Sequence, residues 1–306
     1  MRVTQDSLVH STLNRLQTRL GEHEEASTRV STGKSWQVPS DDPARANQSL
    51  VLRADEHART QQQRNAQDAE SRLEITDSTL QSMNERLHRA RDLAVQAAKG
   101  TNDQTEREAI AAEIDEINDE LESLARTKHA GKALFAGYTD GPAVESEEDD
   151  DTLLINFRGD GDHRIDRKIG PDDKVRSNIT AAEVFAKDPD DLEDNTDNTF
   201  SLLHDLAADV REGNVSDVSD KIAEVDDAQD RLQSAQSSVG VAHSRVVSAL
   251  DRSERDLLAV QKERSDVEDV NLAEAIMELQ TQEVAFEATL GSMARVLQPS
   301  LMDFIR

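Results

Sequence analysis

Apolar residues recur at three- and four-residue steps over two long stretches at opposite ends of the chain, about 1–100 and 205–306. A helix turns every 3.6 residues, so this spacing gathers the apolar positions onto one face of each predicted helix. Residues 8–30 place Val9, Leu13, Leu16, Leu20 and Val30 on one stripe, with His23 and Ser27 between them. Gly33 and the polar run around Ser31–Gln37 interrupt it. In Pro39-Ser40-Asp41-Asp42-Pro43, Asp42 is suited to the N-cap and Pro43 to the first helical position of a long helix reaching toward Lys99. Along it Leu73, Thr76, Leu80, Met83, Leu87, Ala90, Ala94 and Ala97 keep the spacing. Gly100 reads as its stop. Thr105-x-x-Glu108 reads as a capping box opening a third helix, which carries Ile110, Ile114, Ile117, Leu121 and Leu124 and stops at Gly131.

From Leu134 the pattern changes. Leu134–Tyr138, Thr152–Phe157 and Arg164–Ile169 read as strands separated by turns at Asp160-Gly161 and Gly170-Pro171, a small β-rich insert ending near Asn195. Helix resumes near Thr199 with one short stripe of Leu203, Leu206 and Val210 and another of Val218, Ile222 and Val225. A long stripe follows from Leu232 to Val260. The last helix carries Leu272, Ile276, Leu279, Phe286, Leu290, Met293 and Leu297 up to Pro299, followed by an apolar tail with Leu301, Phe304 and Ile305. The expected fold is mainly α with a small β-rich insert, a long antiparallel helical bundle or coiled coil formed by the N- and C-terminal segments. The expected divisions are 1–42 (N-terminal helix), 43–138 (first half of the bundle), 139–198 (β-rich middle), 199–268 (second half) and 269–306 (C-terminal helix).

Aromatic residues make up 3% of the 306, with Trp36 the lone tryptophan, so a bulky globular core is not expected. The formal net charge of −28 disfavours nucleic acid and anionic membranes as partners. The acidity is uneven. Residues 1–50 hold six acids and six bases, whereas residues 140–200 hold nineteen acids and seven bases. The middle is therefore expected to face water and the N-terminus to pack against something. There is no cysteine, hence no disulfide or thiolate metal site. No apolar run approaches the ~20 residues that span a bilayer. The opening Met1-Arg2-Val3-Thr4-Gln5-Asp6 lacks the apolar core of a secretory signal peptide.

Catalytic, cofactor-binding and metal-ligating residues are not expected. The eight histidines include no pair at helical i, i+4 spacing. Asp160-x-Asp162 begins like a calcium loop, but Arg164 and Ile165 occupy the positions that require an oxygen donor and a glycine. There is no phosphate-cradling glycine loop and no nucleophile elbow. Leu301, Phe304 and Ile305 would be a liability if left exposed on a solitary molecule, so burial between subunits is expected, with folding back onto the chain's own bundle as the competing reading.

Two segments carry a family resemblance. Val30-Ser31-Thr32-Gly33-Lys34 followed by Pro39-Ser40-Asp41-Asp42-Pro43-Ala44 resembles the N-terminal signature shared by flagellins and hook-associated proteins. Asp269-Val270-Asn271-Leu272-Ala273-Glu274-Ala275-Ile276, running through Gln282 and Phe286 to Leu297, resembles the matching C-terminal signature. Within that superfamily the chain is most similar to the hook-associated protein 3 family, the hook–filament junction proteins. Its opening Met1-Arg2-Val3-Thr4, its length and the segment Phe157-Arg158-Gly159-Asp160-Gly161 through Ile169-Gly170 to Val184-Phe185 carry that likeness.

The resemblance implies an extracellular structural adapter of the bacterial flagellum. It implies export without a cleaved signal, by the flagellar type III apparatus, and assembly as a ring. The implied partners are other copies of itself, the other hook-associated junction protein, flagellin and an export chaperone. The residues expected at subunit interfaces are Leu13, Leu16, Leu20, Leu272, Ile276, Leu279, Phe286, Leu290, Leu297, Leu301 and Phe304. Ser40, Asp41, Asp42 and Pro43 form the expected family motif and helix cap. A short flagellin and a cytoplasmic coiled-coil scaffold are the competing readings.

Overall fold

A computed structural model describes residues 2–100, 102–149, 152–158, 163–189 and 196–296. Seven helices and three small antiparallel hairpins follow one another in these residues: α1 (Arg2–Thr32), α2 (Pro43–Ala97), α3 (Gln104–Ala125), β1 (Lys128–His129), β2 (Lys132–Ala133), β3 (Val144–Asp149), β4 (Thr152–Phe157), β5 (Asp166–Lys168), β6 (Lys174–Arg176), α4 (Ala181–Phe185), α5 (Thr199–Glu212), α6 (Val215–Glu268) and α7 (Leu272–Val296). Two compact units result, one of Met1–Ala58 with Asp256–Arg306, the other of Arg59–Arg255. The division falls within α2 and α6, so the helix ends near 42/43 and 268/269 lie inside the first unit.

The unit of Arg59–Arg255 is built on the α2 stripe. Leu73, Leu80, Met83 and Leu87 are buried there, and Ala90, Ala94 and Ala97 continue the same face. Ile110, Ile114, Ile117 and Leu121 of α3, Leu203, Leu206 and Val210 of α5, and Val218, Val225, Leu232, Val239 and Val246 of α6 complete one hydrophobic core. Small residues at the end of the α2 face allow close helix approach. The stripes of Val218–Val225 and Leu232–Val260 belong to one uninterrupted helix, α6.

Three local expectations are corrected. The capping box of α3 opens two residues earlier than Thr105-x-x-Glu108. Asp103 Oδ1 accepts from the Glu106 amide at 2.8 Å and Glu106 Oε2 accepts from the Asp103 amide at 3.0 Å, a carboxylate serving where a hydroxyl was sought. Gly131 does not stop α3, which ends at Ala125. Its positive φ of 81° serves the turn between β1 and β2. Leu134–Tyr138 is not a strand. Its backbone groups bond to scattered partners, Leu134 N–H to the Thr127 carbonyl at 2.9 Å and the Phe135 carbonyl to the Ala181 amide at 2.9 Å, so no ladder forms.

Leu134, Phe135 and Ala136 are nevertheless fully buried. The buried guanidinium of Arg72 holds them to α2, Nη2 donating to the Leu134 carbonyl at 2.7 Å and the Ala133 carbonyl at 3.3 Å. The β3–β4 hairpin pairs Val144 with Phe157 through Asp149 with Thr152. Its Val144 and Ile155 are buried, and Phe185 packs against Phe200 with ring centroids 4.6 Å apart. The short α4 had no counterpart in the apolar pattern, being five residues long; Thr180 and Glu183 form its capping box. The turn at Asp160-Gly161 lies outside the described residues.

Candidate functional site

In the unit of Met1–Ala58 with Asp256–Arg306, α1 and α7 lie side by side and antiparallel. Arg29 donates to Glu278 at 3.1 Å, and the rings of His23 and Phe286 stack at 5.9 Å. The side chains driven into the seam are small or flexible: Ala26, Ala275 and Met293 are buried. Alanine lets the two backbones approach closely, which leaves the larger residues on the edge of the contact.

The predicted interface residues are on that edge. Leu16, Leu279 and Phe286 are half-buried, while Leu13, Leu20, Leu272, Ile276 and Leu290 are exposed. Leu13, Leu16, Leu20 and His23 follow one another at three- and four-residue steps, so they share one flank of α1, about a quarter-turn from Ala26. In α7 the residues Leu272, Ile276, Leu279, Phe286 and Leu290 occupy the corresponding flank relative to Ala275. In an antiparallel pair those two flanks open to the same side, with the His23–Phe286 stack between them. The result is one apolar face, made from both ends of the chain. The seam residues Ala26 and Ala275 were not singled out from the sequence, because small residues weaken an apolar stripe just where packing is tightest. Leu297, Leu301 and Phe304 lie outside the described residues.

Beside this pair sits the segment carrying Ser40, Asp41, Asp42 and Pro43. Asp42 Oδ1 accepts from the Arg45 amide at 3.0 Å, and Pro43 opens α2. Asp41 Oδ2 accepts from the amides of Val38 and Gln37 at 3.1 and 3.2 Å, closing the turn in front of the cap. Ser40 is exposed in this turn. The four residues therefore shape the entry to α2 and are separate from the apolar face.

A cluster centred on Glu268 had not been anticipated. Its side chain is 4% exposed and accepts from Ser49 Oγ at 2.6 Å, Arg53 Nε at 2.7 Å and Lys34 Nζ at 3.0 Å. Hydrogen bonds from Arg53, and then from Ser49 and Lys34, outweigh the opposing effect of burial and hold the carboxyl at a pKa of about 2. Lys34 also donates to Asp269 at 2.7 Å. That contact, with the one to Glu268, raises the ammonium pKa, and Lys34 with Ser265 lowers that of Asp269. Glu56, one turn along α2, pairs with Arg264 at 2.7 Å. The legible signal was a carboxylate at an inward position of α6, in register with Leu257, Val260 and Arg264.

A cavity of about 280 Å³ opens beside this cluster, lined by Thr32, Lys34, Trp36, Gln37, Arg53 and Glu268. Its two cations are already committed to Glu268 and Asp269. Among the described residues no group of three or more His, Cys, Asp or Glu is placed to hold a metal ion. No helix of the described residues is long and apolar enough to cross a membrane.

Paired helices from opposite ends of the sequence, an apolar face exposed along them and a small β insert in the middle define a mainly helical protein of the kind assembled from long helices. The bacterial flagellin N-terminal helical region matches residues 4–140 and the flagellin C-terminal helical region matches residues 222–305, together well over half of the sequence. The chain belongs to the flagellin family. It is similar over its whole length to the flagellar hook-associated protein 3 of Salmonella typhimurium, at 24% identity across 100% of both chains. The Escherichia coli hook-associated protein 3 is 32% identical over 39% of this chain and 38% of its own. A Salmonella muenchen flagellin is 32% identical over 52% of this chain and 29% of its own.

Among the solved structures that share the fold are two hook-associated proteins. One is a hook-associated protein from Vibrio parahaemolyticus, with a TM-score of 0.64 and 22% identity over 75% of this chain and all of that one. The other is hook-associated protein 3 from Legionella pneumophila, with a TM-score of 0.63 and 14% identity over 71% of this chain and 98% of that one.

Proposed function

We propose that this protein is the hook–filament junction subunit of a bacterial flagellum. In this reading it is exported through the flagellar type III apparatus without a cleaved signal, works outside the cell and assembles as a ring between hook and filament. Its partners are other copies of itself, the second hook-associated junction protein, flagellin and, before export, a chaperone. The observation that carries the reading is the end-to-end alignment with a hook-associated protein 3, whereas the flagellins align over less than a third of their own length.

The physical design agrees with it. The open face of Leu13, Leu16, Leu20, Leu272, Ile276, Leu279, Phe286 and Leu290 belongs to a subunit whose burial is completed by neighbours. Leu297, Leu301 and Phe304 extend the same role into the tail. Without cysteine, the chain cannot be locked by a disulfide before it is threaded through a channel. The work assigned to it is packing and electrostatics rather than catalysis.

Deleting the gene tests the proposal. Hooks without filaments, with flagellin released into the medium and filaments restored by a plasmid copy, are the expected result. Normal filaments in the deletion strain would overturn it. The alternative of a short flagellin rests on the flagellin relatives and predicts that the purified protein polymerises alone into long filaments.

A further inference from the structure

The chain enters the α1–α7 pair through two connections, one after α1 and one before α7, and these run against each other. Gly33 ends α1 in a left-handed conformation with φ 68°, and its amide closes the last turn on the Arg29 carbonyl at 3.0 Å. Lys34 then pairs with Asp269 as a one-residue antiparallel bridge. On either side the Ser35 amide donates to the Glu268 carbonyl at 2.8 Å, and the Val270 amide donates to the Gly33 carbonyl at 2.9 Å. Trp36 Nε1 donates to the Val267 carbonyl at 3.3 Å, and Ser35 Oγ donates to the Glu268 carbonyl at 3.1 Å. Residues some 230 positions apart in sequence are thus joined by backbone bonds.

Two such bonds are little to hold a pair of helices to the segments that adjoin it. A lone two-stranded bridge in water is marginal, and loop segments open locally at low cost. Here the bridge is backed by side chains. The Glu268 carboxylate, directly behind it, gathers one donor from the connection (Lys34) and two from successive turns of α2 (Ser49 and Arg53). It is buried and charged, so each missing donor leaves it poorly solvated and the arrangement favours closing as a whole.

We propose that Glu268 is the latch of a joint: it locks the crossing of residues 33–36 and 267–270 and so ties the α1–α7 pair to the adjoining ends of α2 (43–58) and α6 (256–268), without being needed for these helices to fold. Such a joint would operate in the free subunit as well as in an assembly.

Hydrogen exchange read by mass spectrometry on the full chain tests it, with Glu268→Ala and the milder Arg53→Gln beside the unaltered protein. Peptides covering residues 33–38 and 267–271 are expected to exchange about ten- to a hundredfold faster in Glu268→Ala, and by a smaller factor in Arg53→Gln. Peptides around Leu80, Leu121 and Leu206 are expected to keep their protection and the helical circular dichroism to be unchanged. Fluorescence of Trp36, the lone tryptophan, is expected to shift to the red as its indole leaves the Val267 carbonyl. Unchanged protection at the joint in both variants would overturn the proposal. So would protection lost evenly along the whole chain, since Glu268 would then support the fold at large rather than a joint. If Glu268→Ala does not fold, Arg53→Gln decides by the same readings.

Discussion

Placing a carboxylate on the open face of the α1–α7 pair is expected to spare the isolated molecule and to cripple its association. Leu20 is the informative position, because it is 42% exposed and on the predicted interface. In Leu20→Glu the side-chain stem still covers much of the surface that leucine covers, with the charge reaching water. The free protein should therefore lose less than about 1 kcal/mol. In an assembly the neighbour would bury that position. Full burial of a leucine is worth roughly 1.5–3 kcal/mol, and the exposed share of Leu20 corresponds to about 1 kcal/mol. Removing a carboxylate from water adds several kcal/mol more. A net loss of about 3 kcal/mol or greater per contact weakens association more than a hundredfold.

Thermal unfolding followed by circular dichroism reads the first quantity. Complementation of motility in a deletion strain, with flagellin recovered from the medium, reads the second. The expected result is a melting temperature within a few degrees of the unaltered protein together with no complementation. Met293→Glu supplies the contrast, because Met293 is buried in the seam, so that substitution should melt the pair itself. Full complementation by Leu20→Glu would refute the reasoning, as would a large drop in its melting temperature.

Acid should weaken the joint selectively. The folded-state pKa of Glu268 is depressed to about 2 from an ordinary 4.5, so its contribution is present above pH 4.5 and is lost as pH falls toward 2. The shift corresponds to at most about 3 kcal/mol, discounted because Lys34 and Arg53 are half-exposed. Trp36 emission titrated between pH 6 and pH 2 should change within that window, and Glu268→Gln should flatten the response. In the other unit, Arg72→Met removes the donor to the Ala133 and Leu134 carbonyls and should cost about 1–3 kcal/mol, measured by urea unfolding.

The long helices were legible because their spacing is regular over many turns, as from Leu73 to Ala97. Short-range chemistry was read less well. Thr105-x-x-Glu108 reads as the capping box of α3, whereas Asp103 with Glu106 forms it. Leu134–Tyr138 has strand-like residues, yet an arginine some sixty positions away bonds the carbonyls of Leu134 and the preceding Ala133, and no local pattern encodes that.

The Glu268 cluster was the least legible. It joins Lys34, Ser49 and Arg53 to a residue more than two hundred positions away, each an ordinary polar residue on its own helix or loop. The leucines of α1 gave the correct helix but an incomplete seam. The chain packs Ala26 against α7 and leaves Leu13 and Leu20 largely open, a distribution that makes sense for a surface finished by another molecule.

A single thiol reports directly on that surface. The protein has no cysteine, so Leu20→Cys, checked first for complementation of motility, can be labelled with a maleimide as free subunit and again in isolated hook–filament structures. Rapid labelling of the free protein and strong protection in the assembled one are predicted. Equal labelling in both states would mean that the face formed by the two ends of the chain stays in water, contradicting its role as a subunit interface.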